Sequence, residues 1–177
     1  IDGSLSADCA GSYDVASRAC SGGSDTAYRN FASASSAAAP GTLFLIRAGT
    51  YGEVLRLAVS GTAAAYVGYS AYMEDSVDNG EDYGPIWLDQ VSYNLVRGLT
   101  VRGSVGFLRA VDSHYNVIDA CDFDGTTLYP SSSKRGGLYF SGSHYNRVTN
   151  SRIFQSTDAL SLIHSDYNLV MGNEIEL

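Results

Sequence analysis

A Tyr-Asn pair recurs four times in the second half of the chain at a nearly constant interval. The pairs begin at residues 93, 115, 145 and 167, so the intervals are 22, 30 and 22 residues. The long interval equals one repeat plus an eight-residue insertion near Thr127–Lys134. A repeat of this length with short β-type runs indicates a solenoid, because one unit alone cannot bury its apolar face.

Apolar residues within each repeat alternate with polar ones, which places them on one face of a strand. The three-and-four spacing of an amphipathic helix is absent. The pattern therefore predicts an all-β parallel β-helix with repeats of about 22 residues. Four inward columns are expected: Ile86, Leu108, Leu138 and Leu160; Leu88, Ala110, Phe140 and Leu162; Val96, Ile118, Val148 and Val170; and Val101, Phe123, Ile153 and Ile175.

The repeated pair itself predicts two side-chain ladders, because equivalent residues of adjacent strands lie about 4.8 Å apart. The asparagine amides should hydrogen-bond along the stack, and the tyrosine rings should stack beside them. Asparagine is also expected to supply the left-handed backbone of the turn. The ladder residues are Asn94, Asn116, Asn146 and Asn168, with Tyr93, Tyr115, Tyr145 and Tyr167.

The segment before the clear repeats predicts a cap and two further strands. Phe31–Ala39 is rich in Ser and Ala and ends at Pro40, which favours a short helix. Thr42–Thr50 and Glu53–Val59 are predicted strands, and the acidic stretch Glu74–Asp82 is predicted to be a loop. We therefore expect an N-terminal leader and cap over 1–40 and a parallel β-helix over 41–177, in one structural domain.

The charge balance restricts the partners. The chain has 11 basic and 19 acidic side chains, a net charge of −8. This charge argues against nucleic acid, whose binding depends on neutralising phosphates. It also argues against an anionic polymer, unless a cation bridges the two or a local basic patch opposes the overall field. The sequence has no run near the roughly 20 apolar residues of a membrane span.

Two features of the first twenty residues favour an extracellular location. The chain starts at Ile1 rather than Met, which a removed signal peptide or a cloning boundary would explain. Cys9 and Cys20 lie close together in a polar segment, which predicts a disulfide in an oxidising compartment, with two free thiols as the alternative. Cys121 falls inside a repeat and is predicted to be a buried free thiol.

Three segments resemble secreted pectate-lyase-like right-handed parallel β-helix proteins. They are Ala39–Glu53 (APGTLFLIRAGTYGE), Val59–Ala65 (VSGTAAA) and Tyr93–Val101 (YNLVRGLTV). The resemblance covers roughly residues 20 to 177 and implies a right-handed, secreted β-helix. It further implies glycan chemistry in which a basic side chain abstracts a proton beside a uronate carboxylate, with Ca²⁺ or a second base neutralising the acid. The same fold also serves non-catalytic adhesins.

One outward row provides the candidate glycan-binding residues. Trp87, Arg109, Tyr139 and Ser161 should lie along one exposed face, and Trp87, Arg109 and Tyr139 suit sugar rings and their hydroxyl or carboxylate groups. The insertion precedes the third repeat and would form a wall beside this face. Lys134, Arg135 and Arg109 are the candidate catalytic bases. The alternative is a solvated basic loop beside a covered aromatic patch.

The acidic segment and the turn histidines each allow two interpretations, a metal site or a purely structural feature. Asp75, Asp78, Glu81 and Asp82 could bind calcium through hard oxygen ligands, and a solvated acidic loop is the alternative. His114 and His144 precede ladder tyrosines at equivalent positions, which favours a structural stack over a metal pair.

The sequence leaves two functions open. The first is a secreted carbohydrate-interacting module related to polysaccharide lyases. The second is a structural β-solenoid subunit, because no polar segment follows Val170 and Ile175 to cover their inward side chains, and either a longer natural chain or another molecule would cover them. Exposed strand edges favour further pairing, so head-to-tail association into an extracellular filament or adhesin is the alternative.

Overall fold

The chain forms three parallel β-sheets preceded by a small antiparallel pair and one helix. The structure, a computed structural model, describes residues 1–73, 77–79, 86–102, 106–125, 137–156 and 158–176. Of residues 77–79 only the backbone is described.

The chain passes through the three sheets in rotation, so each sheet contains every third strand. Sheet 1 contains β3 (Leu43–Ile46), β6 (Val67–Ala71), β9 (Asn94–Arg97), β12 (Val117–Asp119), β15 (Arg147–Thr149) and β18 (Leu169–Met171). Sheet 2 contains β4 (Gly49–Thr50), β7 (Val77–Asn79), β10 (Thr100–Arg102), β13 (Asp122–Asp124), β16 (Arg152–Phe154) and β19 (Glu174–Glu176). Sheet 3 contains β5 (Leu55–Leu57), β8 (Ile86–Asp89), β11 (Leu108–Val111), β14 (Leu138–Ser141) and β17 (Leu160–Ile163).

The register of the strands reproduces the predicted columns. Leu108 pairs with Ile86 on one side and Leu138 on the other, and the third and fourth columns pair in the same way. The inward members are buried through most of the chain, Leu138 being 1% exposed. The last strands differ, since Leu162 is 44% exposed and Ile175 49%. The all-β class and the parallel pairing are therefore confirmed.

The N-terminal region combines a helix with a disulfide-linked antiparallel pair. Strands β1 (Cys9–Tyr13) and β2 (Asp25–Ala27) pair with each other, and the predicted Cys9–Cys20 disulfide is present. Helix α1 spans Phe31–Ser36, shorter than the predicted Phe31–Ala39. Asn30 caps it by accepting the backbone N–H of Ser33.

Helix α1 packs its Phe31 side against the first strands. Phe31 is fully buried and stacks on Tyr51 at 4.8 Å, and Ser35 hydrogen-bonds the hydroxyl of Tyr69. Ile1 adds to this contact, because its backbone carbonyl accepts the N–H of Arg47. The first strands are therefore covered in part by the N-terminal segment.

Three local predictions need correction. Thr42–Thr50 is two strands, β3 and β4, on different sheets, and Glu53–Val59 shortens to β5. Strand β6 was not predicted at all. The acidic stretch Glu74–Asp82 is not wholly a loop, because Val77–Asn79 forms β7 and pairs with Gly49–Thr50 and Thr100–Val101. Pairing with strands distant in sequence overrides the weak β propensity of the acidic residues.

The turn before each asparagine also departs from expectation. Tyrosine, not asparagine, adopts the left-handed conformation, with φ of 59° at Tyr93 and 58° at Tyr167. Asn94, Asn116 and Asn146 lie in or next to the following strand with their amides buried. The preference of asparagine for left-handed backbone is thus overridden by the hydrogen bonds that its amide makes along the stack.

No helix in the described part of the chain is long and apolar enough to cross a membrane.

Candidate functional site

The outward face of sheet 3 carries a row of cationic, aromatic and hydroxyl side chains. The strands of this sheet alternate buried and exposed residues, as in the buried–exposed–buried pattern of Leu55–Leu57. Their parallel register places one outward residue of each strand beside the next. In strand order the row is Arg56, Trp87, Arg109, Tyr139 and Ser161.

Trp87 lies between two arginines. The guanidinium carbon of Arg56 is 4.2 Å from the centroid of the Trp87 ring, and that of Arg109 is 5.7 Å from it. The strands that carry the two arginines, β5 and β11, flank β8 on opposite sides. The negative faces of an indole attract cations, so Trp87 holds both arginines in place. The ring predicted to pack on sugar is thus already in contact with two guanidinium groups.

The arginines of this row differ from three of the arginines on the other two sheets. Arg97, Arg102 and Arg152 each lie within ion-pair distance of an aspartate on a neighbouring strand. Arg56 and Arg109 make no ion pair with any carboxylate of the described residues, and both are exposed. The outward face of sheet 3 therefore presents two cations that contact an aromatic ring and have no carboxylate partner among the described residues.

Tyr139 and Ser161 continue the row beyond Arg109. Tyr139 is 39% exposed, and Ser161 is half-buried. The parallel row two residues further along the strands mixes a carboxylate, a hydroxyl and two apolar side chains: Asp89, Val111, Ser141 and Ile163. The face thus offers hydrogen-bond donors, acceptors and apolar surface beside the two arginines, which is a combination that suits a sugar polymer.

Sequence reasoning brought Trp87, Arg109, Tyr139 and Ser161 together but missed Arg56. The alternation Leu55-Arg56-Leu57 was a usable signal, because it places Arg56 on the outward side of a strand. Assigning it to this row required the pairing of Arg56 with Trp87. The spacing between them is 31 residues, from 56 to 87, and so does not follow the 22-residue period.

Several other predicted site residues lie outside the described residues. These are the candidate bases Lys134 and Arg135 and the calcium candidates Asp75, Glu81 and Asp82. Asp78 belongs to β7, and its backbone pairs with Thr50 and Thr100. Across the residues that the structure describes, no group of three or more His, Cys, Asp or Glu side chains is arranged to hold a metal ion.

The two turn ladders run alongside sheet 1. The Nδ2 of Asn116 donates to Oδ1 of Asn146 at 3.1 Å, and that of Asn94 donates to Oδ1 of Asn116 at 3.3 Å. Tyr115 and Tyr145 stack at 4.9 Å with their planes 3° apart. These contacts repeat along the chain and give the turn a structural role.

The turn histidines form a third stack with its own backbone contacts. The rings of His114 and His144 lie 5.3 Å apart and nearly parallel. The Nδ1 of His114 accepts the N–H of His144, and the Nδ1 of His144 accepts the N–H of Asp166. Each Nδ1 is therefore engaged by the protein backbone rather than available to a metal.

Cys121 is a buried free thiol, as predicted. Burial raises the pKa of this thiol to about 12. Its sulfur lies 3.4 Å from the carbonyl oxygen of Asp119, to which it donates. A neutral, enclosed thiol is not a nucleophile, so Cys121 plays no part in the candidate site.

A cavity of about 310 Å³ lies between the N-terminal segment and the first strand of sheet 1. Leu43 and Leu45 of β3 form one wall, and residues 25–27 of β2 form another. Arg47 at its margin stacks over Tyr72 at 4.6 Å and donates to the carbonyl of Val15. The cavity is separate from the row on sheet 3.

The chain has no match among family models, and no curated protein or solved structure matches it.

Proposed function

We propose that this chain is a secreted carbohydrate-binding module whose ligand lies along the outward face of sheet 3. The observation that carries the proposal is the Arg56–Trp87–Arg109 cluster, continued by Tyr139. Exposed guanidinium groups provide planar sets of donors for hydroxyl and carboxylate oxygens. Their stacking on Trp87 reduces the side-chain entropy that binding would otherwise cost.

The proposal includes a right-handed parallel β-helix, in which sheets 1, 2 and 3 are the three faces of one solenoid. The support is the rotation of the chain through the sheets and the continuous inward columns. Such a solenoid provides a rigid, straight face, and a polymer can lie along it over several strands. The Cys9–Cys20 disulfide supports the extracellular location, where such bonds persist.

A relationship to the pectate-lyase-like proteins is part of the proposal, and binding rather than catalysis is its core. Arg109 is the candidate base that the described residues place on the face. An arginine stays protonated in water and is a poor base at neutral pH, so its electrostatic role in holding an acid is the stronger one. Lyase activity predicts unsaturated products that absorb in the ultraviolet, which an assay on uronate polymers detects.

The first experiment is calorimetric titration of a panel of acidic and neutral oligosaccharides into the wild type and into Trp87→Ala. We expect saturable binding by the wild type and a loss of at least about tenfold in affinity for the variant, since both arginines lose their support. Tyr72→Ala is the matched control, because it removes the aromatic partner of Arg47 at the ends of strands β3 and β6, away from sheet 3. No saturable binding by the wild type would contradict the proposal.

The alternative proposal is a structural β-solenoid subunit that associates end to end. It rests on the stacked parallel strands, because the backbone groups at a sheet edge can pair with a strand of a second copy.

Light scattering over a concentration series, combined with negative-stain imaging, tests the alternative. The alternative is supported if the mass of the wild type rises with concentration and the mass of Leu162→Glu stays that of a monomer. A constant monomer mass at all concentrations would contradict it.

A further inference from the structure

We infer that the ligand of the sheet 3 face is a glycan with an acidic group on every second sugar, an inference that rests on the proposed carbohydrate binding. The row alternates in chemistry from strand to strand: cation, aromatic, cation, aromatic, hydroxyl. Its members are Arg56, Trp87, Arg109, Tyr139 and Ser161.

The spacing of the row sets the spacing of the ligand. Neighbouring strands of a sheet lie about 4.8 Å apart, which is close to the length of one sugar residue in an extended polysaccharide. A polymer that runs along the row therefore places one sugar over each strand. Arg56 and Arg109 lie on strands separated by β8, so they are two strand spacings apart, roughly 10 Å.

Trp87 enforces this separation. Arg56 and Arg109 come from the strands on either side of the one that carries Trp87, and both contact its ring, which keeps the two cations apart. Each arginine can instead hold its own carboxylate or sulfate through two parallel N–H···O bonds. The sugar between them meets the outer edge of Trp87, where a neutral residue fits and a charged one has no partner.

The overall charge of the chain also favours an alternating polymer over one that is acidic at every sugar. At a net charge of −8, the protein repels a polymer that is acidic at every residue. Such a polymer would also place carboxylates over Trp87 and Tyr139, where an acid loses hydration without gaining a hydrogen-bonded cation. An alternating polymer places its acids over Arg56, Arg109 and the hydroxyl of Ser161, and its neutral sugars over the two aromatic rings.

The test compares three probes of equal length by calorimetric titration. Hyaluronan oligosaccharide is acidic at alternate sugars, oligogalacturonate is acidic at each sugar, and chito-oligosaccharide is neutral. We expect the alternating probe to bind at least about tenfold more tightly than either of the others, the equivalent of one well-made interaction. Arg56→Gln and Arg109→Gln should each lower its affinity by about tenfold.

Arg147→Gln is the charge-matched control, since Arg147 is exposed on the outward face of sheet 1 and the substitution changes the net charge by the same amount. This variant should bind as the wild type does. An equal loss in Arg147→Gln would show that only net charge matters and would overturn the inference.

The remaining outcomes separate this inference from the proposed function. Equal or tighter binding of oligogalacturonate would overturn the alternation while carbohydrate binding stands. Binding of the neutral probe alone would overturn the role of the two arginines. A failure of every probe would reject both the inference and the proposed function.

Discussion

The amide of Asn116 donates to Oδ1 of Asn146 and accepts, through its own Oδ1, the backbone N–H of Asn94. It also donates to the carbonyl oxygen of Val91. Asn94 occupies the first position of this ladder, and its own Oδ1 is a buried side-chain oxygen without a hydrogen-bond partner in the described part of the chain. Equivalent asparagines therefore contribute unequally to the stability of the stack.

This inequality predicts that Asn116→Ala destabilises the protein more than Asn94→Ala. Loss of the Asn116 side chain leaves the buried N–H of Asn94 without its acceptor and removes one of the two donors to the carbonyl of Val91. Asn94→Ala removes only donors, so it leaves no N–H group without an acceptor. We expect the difference in the free energy of unfolding to be about 1–2 kcal/mol. Urea denaturation followed by circular dichroism measures it, and equal values for the two variants would contradict the prediction.

The ion pair between the buried Asp2 and the half-buried Arg18 predicts a loss of stability in acid. Burial alone would raise the pKa of Asp2, but hydrogen bonds from Arg18, Tyr13 and Ser4 outweigh this effect and hold the pKa well below its usual 3.8. A lowered pKa in the folded state stabilises the fold above the unfolded pKa. This contribution is therefore lost progressively as the pH falls below about 4.

Asp2→Asn should lower the free energy of unfolding at pH 7 by about 2 kcal/mol, because charge-assisted hydrogen bonds to a buried group are lost. Between pH 5 and pH 3 the free energy of unfolding should fall less in the variant than in the wild type. The difference between the two decreases is expected to be on the order of 1 kcal/mol. Asp25→Asn, on an exposed residue of β2, is the control. If the free energy of unfolding falls equally with pH in the wild type and in Asp2→Asn, the pair does not cause the loss of stability in acid.

The disulfide predicts an effect confined to the N-terminal region. Cys9 and Cys20 close a loop with a sequence separation of 11, for which chain entropy gives about 3 kcal/mol. Cys9 packs with Tyr13 and Ala27 in a cluster separate from the main core. We expect the Cys9→Ala/Cys20→Ala variant to exchange amide hydrogens faster over residues 1–30 while strands β8–β16 keep their protection. Uniform loss of protection across the sheets would contradict a separate unit.

The buried thiol predicts an unreactive cysteine in the native state. With its pKa raised to about 12, Cys121 stays protonated at pH 8 and presents no thiolate. A colorimetric thiol reagent should therefore detect no free thiol in the native protein and one per chain in urea. Rapid reaction without denaturant would mean that the core around Cys121 opens readily.

The role assigned to Trp87 predicts a graded response to substitution. Trp87→Phe keeps a face for each guanidinium group and should retain most of the glycan affinity, whereas Trp87→Leu should lose about tenfold. The salt dependence of binding should stay the same in Trp87→Phe, because Arg56 and Arg109 remain. Equal losses in the two variants would assign the indole a direct contact with the ligand instead.

The repeat allowed much of sheets 1 to 3 to be predicted from local pattern. A period of 22 combined with alternation of two specifies which residues face inward, so the columns of Leu108 and Ile118 follow without knowledge of the fold. The same register places Arg109 beside Trp87 and Tyr139. Successive side chains of a strand point to opposite faces, so the position of a residue along the strand predicts whether its side chain points inward or outward.

Contacts between residues distant in sequence were decided by the tertiary structure. Arg56 joins Trp87 only because β5 pairs with β8 outside the regular period, and Val77–Asn79 becomes a strand only because two neighbours offer it backbone partners. The left-handed turn falls on tyrosine because the asparagine amide is committed to the ladder. In each case a non-local hydrogen bond or contact outweighs the preference of the residue itself, and single-residue preferences cannot reveal such a partner.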